Sequence, residues 1–139
     1  MKQFPYLVQE LIDTENGITG LAEGRHDFRL VTVGGEIVAA FMRVPADGKY
    51  IANVAQGGDI HEIPLGQIPE SAVDMFTEVD KEFARFPKRL YSLDLGLDRS
   101  GNWKIIELNA QPGLSIEDYN DGAAGKRLFN HVADLLMTP

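Results

Sequence analysis

The sequence predicts an α+β domain, with a mainly antiparallel sheet and two principal helices on one face. Short apolar runs separated by glycine-containing turns are typical of β-hairpins. Two longer stretches repeat apolar residues at spacings of three or four, as amphipathic helices do. The strands come in runs with helices between them, which favours α+β over a doubly wound parallel sheet. A length of 139 residues suits one domain over residues 1–139.

The first half of the chain is rich in predicted strands. Gly34-Gly35 separates two runs of β-branched and apolar residues, which is the pattern of a hairpin with a tight turn. The polar, glycine-rich stretch before this hairpin has no periodicity and indicates a loop. The predicted elements here are a strand at residues 6–12, a loop at 13–25, a hairpin of 26–33 with 36–43, and a structured loop at 50–59.

The second half contains both predicted helices. In residues 69–86 the apolar residues recur at helical spacing, and charged residues occupy the opposite side. Two further strands flank the turn around Ser100-Gly101, and a last amphipathic stretch closes the chain. The predicted elements here are a helix at residues 69–86, strands at 90–97 and 103–108, and a helix at 122–137.

Composition excludes several classes of function. The formal net charge is −8 and no basic cluster is evident, which argues against a nucleic-acid partner. The chain has no cysteine, so disulfides, thiolate zinc sites and cysteine nucleophiles are excluded. No apolar stretch is long enough to span a membrane, and the N-terminal residues do not have the pattern of a signal peptide. We therefore expect a cytoplasmic protein without a membrane partner.

The last predicted hairpin places two carboxylates opposite each other. With the turn centred between Ser100 and Gly101, Asp94 pairs with Glu107, and Asn109 shares their face because side chains alternate along a strand. The other face of this hairpin is predicted to be apolar, with Leu93, Leu95, Ile106 and Leu108. Directly opposed like charges destabilise a hairpin unless a cation compensates them. Oxygen donors of this kind suit Mg²⁺. A solvated strand face is the alternative interpretation of the same pattern.

Several segments resemble the ATP-grasp ligases. Residues 105–113, Ile-Ile-Glu-Leu-Asn-Ala-Gln-Pro-Gly, resemble the Glu-x-Asn-x-x-Pro-Gly signature that closes the catalytic domain of that superfamily. Order and spacing hold from about residue 6 to residue 114, and the most similar members are ribosomal-protein glutamate ligases and glutathione-synthetase-like ligases. The other matching segments are residues 92–95, 6–12, 24–29, 33–40 with Arg43, and Asn53 with Gly57-Gly58.

The resemblance implies a magnesium–nucleotide site. Asp94, Glu107 and Asn109 would hold two Mg²⁺ (or Mn²⁺) ions that bridge the phosphates of ATP. Arg29 and Arg43 would be the catalytic residues, facing the γ-phosphate and an acyl phosphate. Glu10 and Leu11 would lie at the adenine, Asp27 near the ribose or the nucleotide edge, and Asn53 at the phosphates or the acyl intermediate.

The resemblance also implies an ATP-dependent ligase that joins a small carboxylate substrate to an amine or thiol. It covers the C-terminal subdomain of an ATP-grasp fold, so the N-terminal subdomain and the substrate domain are expected elsewhere, in cis or in trans. A homo-oligomer that completes the site is a further possibility. The alternative is a non-catalytic remnant that serves as a nucleotide- or metal-binding module or as a protein-interaction module.

Overall fold

The computed structural model of the chain describes residues 8–46, 49, 58–112 and 123–138. Its centre is one sheet of five strands, namely β1 (Asp27–Val33), β2 (Glu36–Val44), β3 (Asp59–Glu62), β4 (Leu90–Leu97) and β5 (Trp103–Asn109). Their order across the sheet is β3-β2-β1-β4-β5, and every neighbouring pair is antiparallel. The helices are a 3-10 turn at Leu65–Gln67, α1 (Glu70–Phe83) and α2 (Ala123–Met137). The predicted α+β class, with an antiparallel sheet and two principal helices, is confirmed.

The two helices lie on opposite faces of the sheet, so the prediction that both cover one face is wrong in this detail. Ala72 and Phe76 of α1 pack with the even-numbered side chains of β1, such as Phe28. Leu128 of α2 packs with the odd-numbered ones, such as Val31. Both faces of the central strands are apolar, so each needs a cover, and one helix supplies each cover.

The core on the α1 side is the larger of the two. Its fully buried side chains come from β1, β2 and β4 and include Phe28, Leu30, Met42, Leu93 and Leu95. The indole Nε1 of Trp103 donates to the hydroxyl of Ser71 at 2.9 Å, and the ring lies 5.8 Å from that of Phe28. These contacts fix α1 against the end of the sheet where β5 begins.

The core on the α2 side occupies only part of that face of the sheet. It joins Val31, Val33, Ala39 and Phe41 of the sheet to Ala124 and Leu128 of the helix. Further along β1 towards its start, the same face carries Arg29 and Asp27 in place of apolar residues. This polar part of the sheet, beyond the contacts of α2, is the candidate site.

Two elements differ from the sequence prediction. Residues 8–12 form no strand, and the rest of the predicted strand at 6–12 lies outside the described residues. The backbone carbonyl of Ile106 on β5 is bound instead by a side chain, because Gln9 Nε2 donates to it at 3.2 Å. The short edge strand β3 begins at Asp59, where the sequence predicts the end of a loop. No helix among the described residues is long and apolar enough to cross a bilayer.

Candidate functional site

The site is built on two cross-strand pairs of opposite charge. Arg29 on β1 lies directly opposite Asp94 on β4, and Asp27 on β1 lies opposite Arg43 on β2. All four side chains share one sheet face, since residues two apart on a strand point the same way. All four are predicted site residues, but their pairing was not predicted. The structure brings them into one hydrogen-bonded cluster.

Asp94 is the centre of this cluster. Its side chain is 1% exposed, and both of its carboxylate oxygens accept hydrogen bonds from guanidinium groups. Arg29 donates from Nε at 2.8 Å and from a terminal nitrogen at 2.7 Å, which is the bidentate geometry that suits a carboxylate. Arg43 donates a third bond at 2.6 Å. Asp94 is therefore a buried charge that is fully compensated by two arginines.

Asp27 is tied to the same arginine. The terminal nitrogen of Arg43 that reaches Asp94 also donates to Oδ2 of Asp27. Burial raises the pKa of Asp27 to about 6, and the negative charge of Asp94 adds to the rise while Arg43 opposes it. One guanidinium therefore bridges two carboxylates on different strands.

Glu107 and Asn109 extend the site on to β5. Glu107 is the pairing partner of Asp94, as predicted, and Asn109 pairs with Ser92. Glu107 is exposed, and Asn109 is half-buried with its Oδ1 accepting from the backbone of Gln111 at 2.8 Å. No group of three or more His, Cys, Asp or Glu side chains in the described part of the chain is arranged to hold a metal ion. The predicted ligand set of Asp94, Glu107 and Asn109 is not a group of this kind, because its third member is an amide.

A β-bulge in β5 re-aims one side chain of the hairpin. The register shifts between Asp94 and Leu95, so that Glu107 pairs with Asp94 while Ile105 pairs with Leu95. Ile106 is the extra residue, and its Cδ1 lies 3.3 Å from the position that a Cβ on Gly96 would take, on the same face as Asp94. The prediction that Ile106 faces the apolar side is therefore wrong, because a regular hairpin register does not include the bulge.

A cavity of about 510 Å³ opens beside the cluster. Glu10, Leu11 and Asp27 line it, so three of the predicted nucleotide-binding residues surround one space. Ile106 and the neighbouring residues of β5 form another wall. The remaining lining residues are Gln9, Ile12, Thr14, His26, Pro45, Lys104 and Ile105. The cavity has both apolar walls and polar groups, which is the usual character of a small-molecule site.

Residue His26 fixes one wall of this cavity. Its Nδ1 hydrogen-bonds the carbonyl of Gly24 at 3.0 Å, while Nε2 accepts from the backbone N–H of Leu97 at 3.2 Å. Burial lowers the pKa of His26. Thr14 is bound to the backbone of the same histidine through its hydroxyl, at 3.1 and 3.2 Å. His26 was predicted to have no role, because a single histidine at the start of a strand carries no pattern.

Three buried side-chain N or O atoms in the described residues have no hydrogen-bond partner, and all of them lie at this site. They are Oδ1 of Asp27, Nε of Arg43 and Oγ of Ser92, which is two residues before Asp94 on the same strand face. Buried unpaired polar atoms are rare and costly in native proteins. Their concentration around Asp94 makes this face the candidate functional site. Ser92 was missed, because a serine in a strand gives no sequence signal.

Gly96 and Asn53 also differ between the sequence prediction and the described structure. Gly96 was missed, although its lack of a side chain makes room for Ile12 and Thr14 over the sheet. Asn53 was predicted to contact the phosphates and lies outside the described residues. The roles assigned to the other predicted residues stay predictions, but their positions place them around one cluster and one cavity.

Comparison with known proteins identifies the family of this chain. The sequence pattern of the RimK-like ATP-grasp domain matches residues 2–130. The chain belongs to the RimK-like ATP-grasp family. A curated relative from Psychromonas ingrahamii, named "Probable alpha-L-glutamate ligase", is 30% identical over 131 residues, which are 94% of this chain. Human N-acetylaspartylglutamate synthase A is 26% identical over 111 residues, or 79% of this chain.

The chain spans 37% of the length of the first relative and 25% of the human one. Solved ATP-grasp structures share its fold. An ATP-grasp ligase from Chryseobacterium gregarium, in complex with ADP and a leader and core peptide, has a TM-score of 0.57 at 15% identity and covers 94% of this chain and 36% of its own. The ligase PsnB, bound to a precursor variant, Mg and ADP, has a TM-score of 0.54 at 19% identity, with coverages of 83% and 34%. The predicted ATP-grasp membership is confirmed.

Proposed function

We propose that this chain is the magnesium- and nucleotide-binding part of an ATP-dependent ligase that joins a carboxylate to an amine or a thiol. Membership of the RimK-like ATP-grasp family and the ligases among its relatives support the ligase class. The observation that carries the proposal is the juxtaposition of the Asp94 cluster with the cavity lined by Glu10, Leu11 and Asp27. The substrate carboxylate would be small, and would react through an acyl phosphate.

The donor chemistry of the site fits divalent cations. Asp94 and Glu107 oppose each other across two strands, and Asn109 adds an amide oxygen on the same face. Oxygen donors of this kind suit Mg²⁺ or Mn²⁺ and not zinc. A bound Mg²⁺ would neutralise phosphate charge and so favour phosphoryl transfer from ATP. Asp94, Glu107 and Asn109 are the residues that would hold it.

The protein's own cations would act on the phosphates. Arg29 and Arg43 present guanidinium groups beside Asp94, with side chains that are 18% and 14% exposed. In a site that water reaches only partly, such groups stabilise anionic oxygens more strongly than they do in bulk water. We assign both to the transferring phosphoryl group. Glu10, Leu11 and Asp27 would position the nucleoside in the cavity, and Asn53 would assist at the phosphates.

Calorimetric titration with a non-hydrolysable ATP analogue, with and without Mg²⁺, tests this proposal. Wild-type protein is expected to bind the analogue with Mg²⁺, and Glu107→Gln to lose about tenfold or more in affinity, because it loses one anionic ligand. Glu82→Gln is the matched control, since Glu82 is an exposed carboxylate on α1, across the sheet from the site. Equal binding by wild type and Glu107→Gln would contradict the proposal.

A second candidate is a non-catalytic ATP-grasp module that serves binding or interaction only. The observation in its favour is that both oxygens of Asp94 are already used by arginines, as in a purely structural ion cluster. This candidate predicts that Asp94→Asn lowers stability and leaves the affinity for the analogue in the presence of Mg²⁺ unchanged. The ligase proposal predicts that the same variant loses that affinity as well.

A further inference from the structure

Asp94 cannot serve as a metal ligand in the arrangement that the structure shows. Its side chain is 1% exposed, and three guanidinium N–H groups at 2.6 to 2.8 Å occupy its two oxygens. Because the side chain is buried, a cation from solvent reaches this carboxylate only when a neighbouring group moves, and the two arginines are the side chains bonded to it. Glu107, the facing carboxylate, is exposed and open to a cation from solvent.

The charge of the cluster opposes metal entry in the same way. Asp27, Asp94, Arg29 and Arg43 carry two negative and two positive formal charges, so the cluster is neutral when all four are ionised. A divalent cation at Asp94 would stand next to two guanidiniums within a partly buried site, where repulsion is poorly screened. A polyphosphate would supply the negative charge that both the metal and the arginines need.

We propose that Arg29 and Arg43 form a latch that keeps a divalent cation off Asp94 until a polyphosphate draws the arginines away. The inference rests on the proposed function, because it takes Asp94 as a metal ligand and the arginines as phosphate contacts. Metal and nucleotide then bind cooperatively: each removes part of the cost of binding the other. Arg29 and Arg43 act here as positioning residues for Asp94, in addition to their contact with phosphate.

Arg43 links the latch to the cavity. Its terminal nitrogen donates both to Asp94 and to Asp27, and Asp27 lines the cavity in which the nucleoside would lie. The Nε of Arg43 and Oδ1 of Asp27 are buried and have no hydrogen-bond partner among the described residues. A nucleotide oxygen that accepts from this Nε offers Arg43 a new partner and weakens its hold on Asp94. The side of the cavity is therefore the side from which the latch opens.

Titration with Mn²⁺ alone, and with Mn²⁺ plus a non-hydrolysable ATP analogue, tests the latch by metal affinity and not by activity. Wild-type protein is expected to bind Mn²⁺ weakly alone, and about tenfold or more tightly with the analogue. Arg43→Gln is expected to bind Mn²⁺ alone more tightly than wild type, by about tenfold, and to gain less from the analogue. An arginine with a merely structural role would not raise metal affinity when it is removed.

Arg127→Gln is the matched control. Arg127 stands on α2 on the same side of the sheet, is paired with Glu62 at 2.9 Å, and is not among the hydrogen-bond donors to Asp94. Its removal takes away the same charge and is expected to leave Mn²⁺ affinity near that of wild type. Where Arg43→Gln does not fold, Arg43→Lys replaces it, because a lysine keeps the charge but has a shorter side chain without the planar guanidinium. The same direction of change is expected, at a smaller size.

Failure of the latch and failure of the proposed function give different results. Two results would overturn the latch alone. One is tight Mn²⁺ binding to wild type without the analogue. The other is an unchanged Mn²⁺ affinity in Arg43→Gln while the analogue still promotes Mn²⁺ binding to wild type. Absence of any Mn²⁺ binding to wild type in the presence of the analogue would overturn the proposed function, and the latch with it. An equal rise in Mn²⁺ affinity in Arg127→Gln and in Arg43→Gln would mean that the effect comes from the net charge of the protein. That result would also overturn the latch.

Discussion

Gly96 lies directly beneath Thr14. A methyl carbon on Gly96 would stand 2.8 Å from Cγ2 of Thr14, and close to the tips of Ile12 and Ile106. Thr14 cannot turn away freely, because its hydroxyl accepts from the backbone N–H of His26 and donates to the carbonyl of the same residue. The absence of a side chain at Gly96 therefore sets how closely residues 12–14 approach β4, and so sets the shape of the cavity.

Gly96→Ala is expected to weaken binding of the ATP analogue by about tenfold, which corresponds to about 1.4 kcal/mol. The added methyl group forces the segment with Thr14 outwards and widens the cavity. Overpacking of this kind also lowers the free energy of unfolding by roughly 1 to 3 kcal/mol. Calorimetry and urea denaturation measure the two effects. Gly66→Ala is the control, because a methyl group there meets no atom within 4 Å.

Hairpin pairing was largely predictable from the sequence. The structure has the predicted pair of Asp94 and Glu107. Near the turn, however, Leu97 pairs with Trp103, which is one residue out of the predicted register, and the bulge at Ile106 makes up the difference. The bulge at Ile106 was not predictable, because an extra residue in one strand leaves the apolar pattern almost unchanged. Its effect is confined to the residues between the bulge and the turn.

Charge compensation at Asp94 depends on tertiary pairing and was hidden from the sequence. The opposed carboxylates were interpreted as a repulsive pair that a cation relieves. In the structure Arg29 and Arg43, far away along the chain, already compensate Asp94.

The sides of the sheet on which α1 and α2 pack could not be predicted for a related reason. Each helix has an apolar face, but periodicity does not tell which face of a sheet that is apolar on both sides will receive it.

Ser92→Ala is expected to raise the free energy of unfolding by about 1 kcal/mol. The Ser92 hydroxyl is fully buried and has no hydrogen-bond partner, so its removal relieves a desolvation cost without breaking a bond. Thr32→Val is the matched control. Thr32 is equally buried, but its hydroxyl donates to the carbonyl of Tyr91 at 3.1 Å. Loss of this hydrogen bond in Thr32→Val should lower the free energy of unfolding by about 1 kcal/mol. Urea denaturation of both variants measures the contrast, and equal losses would contradict this reasoning.

Asp80→Ala is expected to lower the free energy of unfolding by about 2 to 3 kcal/mol. Asp80 on α1 accepts two bonds from Arg89, at 2.7 and 2.5 Å, and one from the hydroxyl of Tyr91 at 2.9 Å. The bonds from Arg89 lower the pKa of Asp80. Thermal denaturation measures the loss. Glu78→Ala is the control, since its ion pair with Lys81 is largely exposed and should be worth less than about 1 kcal/mol. Similar losses in both variants would rule out a special role for Asp80.

Asp27 is expected to make stability depend on pH in the acidic range. Its pKa is about 6 in the folded protein, compared with an ordinary value of 3.8, chiefly because of burial. The folded protein therefore holds this proton more tightly than the unfolded chain does. The associated stability is fully present below pH 3.8 and is lost as the pH rises through about 6. Asp27→Asn removes this titration while keeping the shape of the side chain.

The quantity to measure is the free energy of unfolding of wild type minus that of Asp27→Asn, by urea denaturation at a series of pH values. It is expected to fall as the pH rises from 3.8 to about 6 and to level off above that. His26 has a lowered pKa and so the opposite pH dependence, but it is present in both proteins and cancels in the difference. A difference that rises with pH would mean that the attraction of Arg43 outweighs burial at Asp27. The carboxylate would then be held ionised in the folded protein.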